Sequence, residues 1–274
     1  MFRMRFFPTL LLVAAVSLIS QEPKPAAAQD QYRQAMSLLL GGNPNLTDRD
    51  QAVMLLRAAA LQNYVPAETA LGTIYQEGIL TTADADQAIH WYLKAADAGD
   101  WIAQFSLGRI YFLGVVTARD TNTAKKWFSK AADTGDSGSA FFLGALNDRD
   151  SNSPDYLEAA KWYRFSAERG NPFAQERLAR LLLEGLGVKQ NRQEAYMWLL
   201  VAAESGNNQA QTKLSSMEDD LGKPAADAVR KQALEMHERI LVRTQTDCAA
   251  WDGQYGDAPT PPPLSTQPSC QHIK

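Results

Sequence analysis

The stretch Ala67–Ile102, AETALGTIYQEGILTTADADQAIHWYLKAADAGDWI, decides how the rest of the chain is read, because its features return downstream at a fixed interval. Trp91 is followed by Trp127, Trp162 and Trp198, at separations of 36, 35 and 36 residues. Periods of roughly 20–50 residues mark arrays in which each unit is one supersecondary element that buries its apolar face only against its neighbours. The spacing therefore predicts a solenoid and overrides the one or two ordinary domains that 274 residues would suggest.

Further columns fix the register. Leu71-Gly72 recurs as Leu107-Gly108, Leu143-Gly144, Leu178-Ala179 and Leu214-Ser215. Asp48, Asp84, Asp120, Asp155 and Asn191 stand before the second apolar segment of each unit, and such side chains accept hydrogen bonds from the free N–H groups of a helix's first turn. The first unit, Gln31 to Pro66, carries Leu55 in place of tryptophan, as terminal units of arrays often depart from the pattern. Ala67, Leu71 and Tyr75 lie on one helical face, and the small residue after each leucine predicts close approach of the partner helix. The second helix runs through Ala88, Trp91, Tyr92, Ala95 and Ala96, and Gly99, Gly135, Gly170 and Gly206 end it or its equivalents. The tryptophans are expected to form continuous core between stacked units.

The loop within each unit carries glycine at Gly78, Gly114 and Gly185-Leu186-Gly187-Val188, but the fourth unit has Asn147-Asp148-Arg149-Asp150-Ser151-Asn152-Ser153-Pro154 and is one residue shorter. That run lacks the central glycine and distal glutamate of a calcium loop and reads as a solvated turn. Lys223-Pro224 opens a more polar last helix, expected to reach about Val242 and to cap the open end. Residues 244–274, with Pro261-Pro262-Pro263, are expected to be irregular.

The N-terminus has Arg3 and Arg5, an apolar run from Phe6 to Ile19, and Ala26 and Ala28 in an A-x-A arrangement. That is the layout of a signal peptide over residues 1–28, cut before Gln29, and the apolar run is short for a membrane span, which needs about 20 residues. Export to the bacterial periplasm or beyond makes pairing of Cys248 with Cys270 reasonable; on a chain-entropy argument such a disulfide stabilises by about 3 kcal/mol. With no C-x-x-C, redox catalysis does not fit. A net charge of -4 and pI near 5.5 argue against a nucleic-acid partner.

The assembled columns resemble the Sel-one-like repeat family, α/α solenoid relatives of tetratricopeptide repeats, over about residues 31 to 222. Ala67, Leu71, Gly72, Tyr75, Gly78, Asp84, Ala88, Trp91, Tyr92, Ala95, Ala96 and Gly99 fill the family's pattern, which Ala103 to Gly135 repeats. The resemblance implies an all-α, right-handed superhelical solenoid of about five helix pairs (residues 29–222) with a capping helix (223–243), which binds protein partners. Some secreted relatives bind or hydrolyse β-lactams, but those stitch each helix pair with a disulfide, and here no cysteine lies inside a repeat.

No constellation of nucleophile, base and orienting group stands out, the three histidines His90, His237 and His272 are scattered, and neither a phosphate loop nor a dinucleotide fingerprint is present. No cofactor or metal is expected. Binding is sought in what the units do not repeat. Positions three, seven and ten of the first helix are Thr69, Thr73, Gln76; Phe105, Arg109, Phe112; Phe141, Ala145, Asp148; and Glu176, Arg180, Leu183. Aromatic and arginine side chains dominate binding hot spots, so Phe105, Arg109, Phe112, Phe141 and Arg180 are the candidate contacts, with packing of the phenylalanines between units as the competing role. The expectation is a monomeric exported scaffold or regulator that takes a protein or peptide in its groove. The alternatives are a cell-wall-peptide or β-lactam binder or enzyme, and a structural envelope protein.

Overall fold

A computed structural model describes residues 25–40, 45–78, 81–114, 117–149 and 153–255. Among these, twelve helices follow one another. The first five pairs are α1 (Pro25–Leu40) with α2 (Leu46–Ala60), α3 (Val65–Glu77) with α4 (Ala85–Asp97), α5 (Trp101–Leu113) with α6 (Thr121–Asp133), α7 (Ser137–Asp148) with α8 (Tyr156–Ala167), and α9 (Pro172–Glu184) with α10 (Arg192–Glu204). Then come α11 (Asn208–Leu221) and α12 (Lys223–Tyr255). Each helix packs on the next, and α3, α5, α7 and α9 also touch their next-but-one neighbours. The odd-numbered helices thus form an inner layer. This is the all-α solenoid of paired helices that the repeat columns call for.

The caps follow from the columns, with one shift. Asp84, Asp120, Asp155 and Asn191 each accept from backbone N–H groups at the start of α4, α6, α8 and α10. Asp48 does not cap α2. Asn45 does, and Asp48 sits one turn inside, where its carboxylate accepts from the Asn45 N–H while Asn45 accepts from the Asp48 N–H. This reciprocal capping box lets the helix begin earlier than in the other units. A second cap column serves the first helix of each unit: Asp100, Asp136, Asn171 and Asn207 start α5, α7, α9 and α11. Its signal is a glycine followed at once by Asp or Asn. These glycines, Gly99, Gly135, Gly170 and Gly206, have φ between 84° and 103°, and in the first unit Asn63 (φ 58°) takes the same left-handed turn.

The Leu-Gly column marks close helix contact. A methyl group on Gly72 would lie 2.5 Å from the Tyr92 ring, on Gly108 2.6 Å from Phe128, and on Gly144 2.6 Å from Tyr163. The tryptophan expectation needs correction. Trp91 and Trp198 are buried, but Trp127 and Trp162 are only half-buried, and the continuous core column is the next residue: Tyr92, Phe128, Tyr163 and Leu199. The side chain that faces the glycine of the paired helix is sealed. In the third and fourth units its tryptophan neighbour lies at the rim, with Lys130 Nζ 4.2 Å from the Trp127 ring centre and Lys161 Nζ 5.5 Å from that of Trp162.

The shortened fourth unit keeps the backbone closure of the others. The Asp155 N–H donates to the Asn147 carbonyl at 3.0 Å, as Asp84 donates to Tyr75, Asp120 to Tyr111 and Asn191 to Leu182, each at 2.9 Å. Asn147 compensates for the missing tyrosine by donating to the Leu143 carbonyl and accepting from Lys125.

Three expectations meet the limits of their segments. α12 does not stop near Val242 but continues to Tyr255, so residues 244–255 are helical instead of irregular. The tail's prolines begin only at Pro259, and the single Gly253 costs about 1 kcal/mol relative to alanine, too little to break a helix already nucleated. The expected signal-peptide cut falls inside α1, where Ala28 is buried, while residues 1–24 lie outside the described residues. The pairing of Cys248 with Cys270 also lies outside the described residues.

Candidate protein-binding groove

The inner layer presents its one-off residues on α5, α7 and α9. Of the sequence candidates, Phe112, Phe141, Arg109 and Arg180 are partly exposed, but Phe105 is not: it is 3% exposed. Its ring centre lies 5.8 Å from those of both Phe128 and Phe142, so it supports the wall from behind. The same column is buried in the second unit, where the Thr73 hydroxyl donates to the Thr69 carbonyl and lies 3.1 Å from the Tyr92 hydroxyl.

The structure adds two residues to the set. Phe142 is the hub: it stacks on Phe128 (4.9 Å, 4° between planes) and meets Phe112 at 5.4 Å and Phe141 at 5.6 Å. Phe141 in turn lies 6.2 Å from Phe173, which is 60% exposed at the start of α9. Together Phe112, Phe142, Phe141 and Phe173 make a diagonal aromatic band across three helices. Offset and edge-on pairs at such separations hold each other in place beyond simple area burial. Phe142 occupies a column where Ala70, Ser106 and Arg177 stand in the other units, and that break from a mostly small or polar column was the available signal.

The charges flanking the band differ by end. At the α9 end Arg180 is held by Asp148 at 2.5 Å and Glu184 at 2.8 Å. Burial pulls its pKa down, but these two carboxylates outweigh burial and raise it. Asp148 also accepts from the Tyr163 hydroxyl at 3.1 Å. Burial, then this anion, push the phenol well above the ordinary tyrosine range. Buried Glu176 is paired with Lys213 of α11 and lies 3.5 Å from Arg177. At the α5 end, by contrast, Arg109 lies 5.9 Å from the centre of the Phe105 ring and Arg119 5.4 Å from that of Phe112, and neither makes an ion pair among the described residues. No group of three or more His, Cys, Asp and Glu that could hold a metal occurs among the described residues.

A stack of helix pairs whose repeated residues build the frame, and whose unrepeated ones gather on the inner layer, defines a solenoid repeat scaffold. The family model described as Sel1 repeat matches residues 29–64, 65–100, 101–136, 138–171 and 172–207, so the chain belongs to the Sel1 repeat family. The chain is similar to the crystal structure of a protective antigen present in uropathogenic Escherichia coli strains displaying an SLR fold. That match has 29% identity and a TM-score of 0.68 over 82% of this chain and 49% of the other, so the chain spans about half the length of that antigen. It is also similar to a Sel1 repeat protein from Oxalobacter formigenes, at 25% identity and a TM-score of 0.58 over 88% of this chain and 70% of the other. No curated protein matches the chain. Among the described residues no helix is long and apolar enough to cross a membrane.

Proposed function

We propose that this chain is an exported scaffold or regulator of the bacterial envelope that binds a protein or peptide partner on the inner layer formed by α5, α7 and α9. Sel1 repeat proteins generally serve as scaffolds for protein–protein interaction, which supports recognition as the class of activity. The observation that carries the reading for this chain is the aromatic band from Phe112 to Phe173, built from residues the repeat does not require and ending on a ring that is 60% exposed. Partly exposed aromatic side chains flanked by arginine are the usual anchors of protein interfaces. Export rests on the sequence layout of residues 1–28.

A photo-crosslinking residue placed at Phe173 in the native envelope tests the proposal. A discrete protein adduct is expected, absent when the same residue replaces Leu157, which is 69% exposed on the outer helix α8. Equal labelling from both positions refutes it. N-terminal sequencing of the exported protein should begin at Gln29.

A further inference from the structure

Resting on that reading of the groove, we propose that the α5 end of the aromatic band selects an acidic segment of the partner, a carboxylate beside a large apolar side chain. The geometry names both halves of this ligand. The apolar half is set by Phe112 and Phe142, 5.4 Å apart edge-to-face and both partly exposed, backed by the buried Phe105 and Phe128 so that neither ring can retreat. The acidic half is set by Arg109 and Arg119, each lying within 6 Å of a phenylalanine ring centre of this cluster. A guanidinium steadied by an aromatic ring loses less freedom when it meets a planar carboxylate, and its fork of N–H groups matches that acceptor.

Charge balance along the wall argues for an anionic occupant at this end and no other. The carboxylates further along are already committed: Asp148 and Glu184 to Arg180, and Glu176 to Lys213. Asp120, next to Arg119 in sequence, is engaged in capping α6 through the N–H groups of Asn122 and Thr123. Arg109 and Arg119 make no ion pair among the described residues, in a chain whose net charge is -4. That overall negative charge disfavours a polyanion, whereas a short segment carrying one or two carboxylates meets only the local field.

The test uses fluorescence anisotropy with the full chain and three labelled peptides, one alternating glutamate with phenylalanine, one lysine with phenylalanine, and one glutamate with alanine. The glutamate–phenylalanine peptide should bind at least tenfold more tightly than either other. Reversing the charges together, Arg109→Glu with Arg119→Glu, should weaken it at least tenfold and strengthen the lysine–phenylalanine peptide. Both positions are partly or fully exposed, and unchanged circular dichroism verifies that the variant folds. Indifference to the reversal overturns the assignment, as does binding of a short oligothymidylate as tight as that of the acidic peptide. If the crosslinker at Phe173 captures a partner while the peptides show no acidic preference, the charge assignment falls and groove recognition stands. If neither experiment shows binding, both fall.

Discussion

Arg180 reaches from α9 to place a guanidinium nitrogen 2.5 Å from Oδ1 of Asp148 at the end of α7, and so ties two consecutive units on the inner layer. The Asp148 side chain is only 6% exposed, and its second oxygen accepts from Tyr163 on α8, so three helices meet at one carboxylate. Asp148→Asn should destabilise the chain by about 1–3 kcal/mol, since Arg180 keeps Glu184 but loses the charge of its buried partner, and a neutral amide cannot accept from both Arg180 and Tyr163 through separate oxygens. At about 2–4 °C per kcal/mol for a chain of this size, a thermal melt will register the change. The Tyr163 phenol should become easier to ionise, because burial remains while the anion that also raises its pKa is gone. Ultraviolet titration of the variant against the parent reads this directly.

Gly108→Ala adds one methyl group where the Phe128 ring is 2.6 Å away. Phe128 is fully buried and stacked on Phe142, so it has nowhere to move. Overpacking of about 1–3 kcal/mol should outweigh the gain of about 1 kcal/mol in helix propensity, and the urea midpoint should fall. Pairing it with Phe128→Leu should recover part of the loss; a double variant no better than the single one would place the strain elsewhere.

Tyr92 provides a pH signature. Burial pushes its pKa up to about 12, even though its hydrogen bond to Thr73 lowers it. The folded pKa is raised, so the contribution is fully present below the ordinary tyrosine value near 10 and is lost as pH rises from there towards 12. Each unit across that window costs about 1.4 kcal/mol. Urea midpoints measured from pH 8 to 12 should fall more gently for Tyr92→Phe than for the parent chain.

Asn207 does two jobs at the last unit. Its side-chain oxygen accepts from the N–H groups of Gln209 and Ala210, and its amide donates to the Pro172 carbonyl at 2.9 Å. Asn207→Ala should cost about 1–2 kcal/mol, whereas Asn207→Asp keeps the cap but replaces the donor to Pro172 with a carboxylate oxygen that the carbonyl repels. Hydrogen exchange should show the alanine variant losing protection first in α11.

The fold was legible because helix pairing, caps and close contacts recur: one glycine or aspartate is ambiguous, while four at the same spacing are not. What the columns do not carry is environment, which residues of one column need not share. Trp127 and Trp162 align with Trp91 and Trp198 but sit at the rim, because identity of type fixes register and not burial. Asp48 aligned with the caps but lies a turn inside one. The groove was legible in part. Positional spacing brought Arg109, Phe112 and Phe141 together, yet it could not separate the buried Phe105 from them or find Phe142, whose place in the band depends on the angle at which α5 and α7 pack. The reach of α12 beyond Val242 was not legible, because the helical residues up to Tyr255 run directly into a proline-rich tail and share its composition of turn-forming residues.

α12 packs along α10, touches α11, and at Ile240 and Thr244 returns to the turn at Gly170, where a methyl on that glycine would stand 3.1 Å from the Ile240 side chain. One helix thereby spans the ends of two units and occupies the surface onto which a sixth would stack. The stack is sealed at this end by its own last described helix, and the inner layer of the described units stops at that seal. Lengthening that layer by inserting a unit within the stack, between α8 and α9 for example, leaves the seal on α10 and α11 intact but moves the Gly170 turn away from Ile240. Duplication just before α12 has the opposite difficulty of presenting a new last pair to a helix shaped for α10.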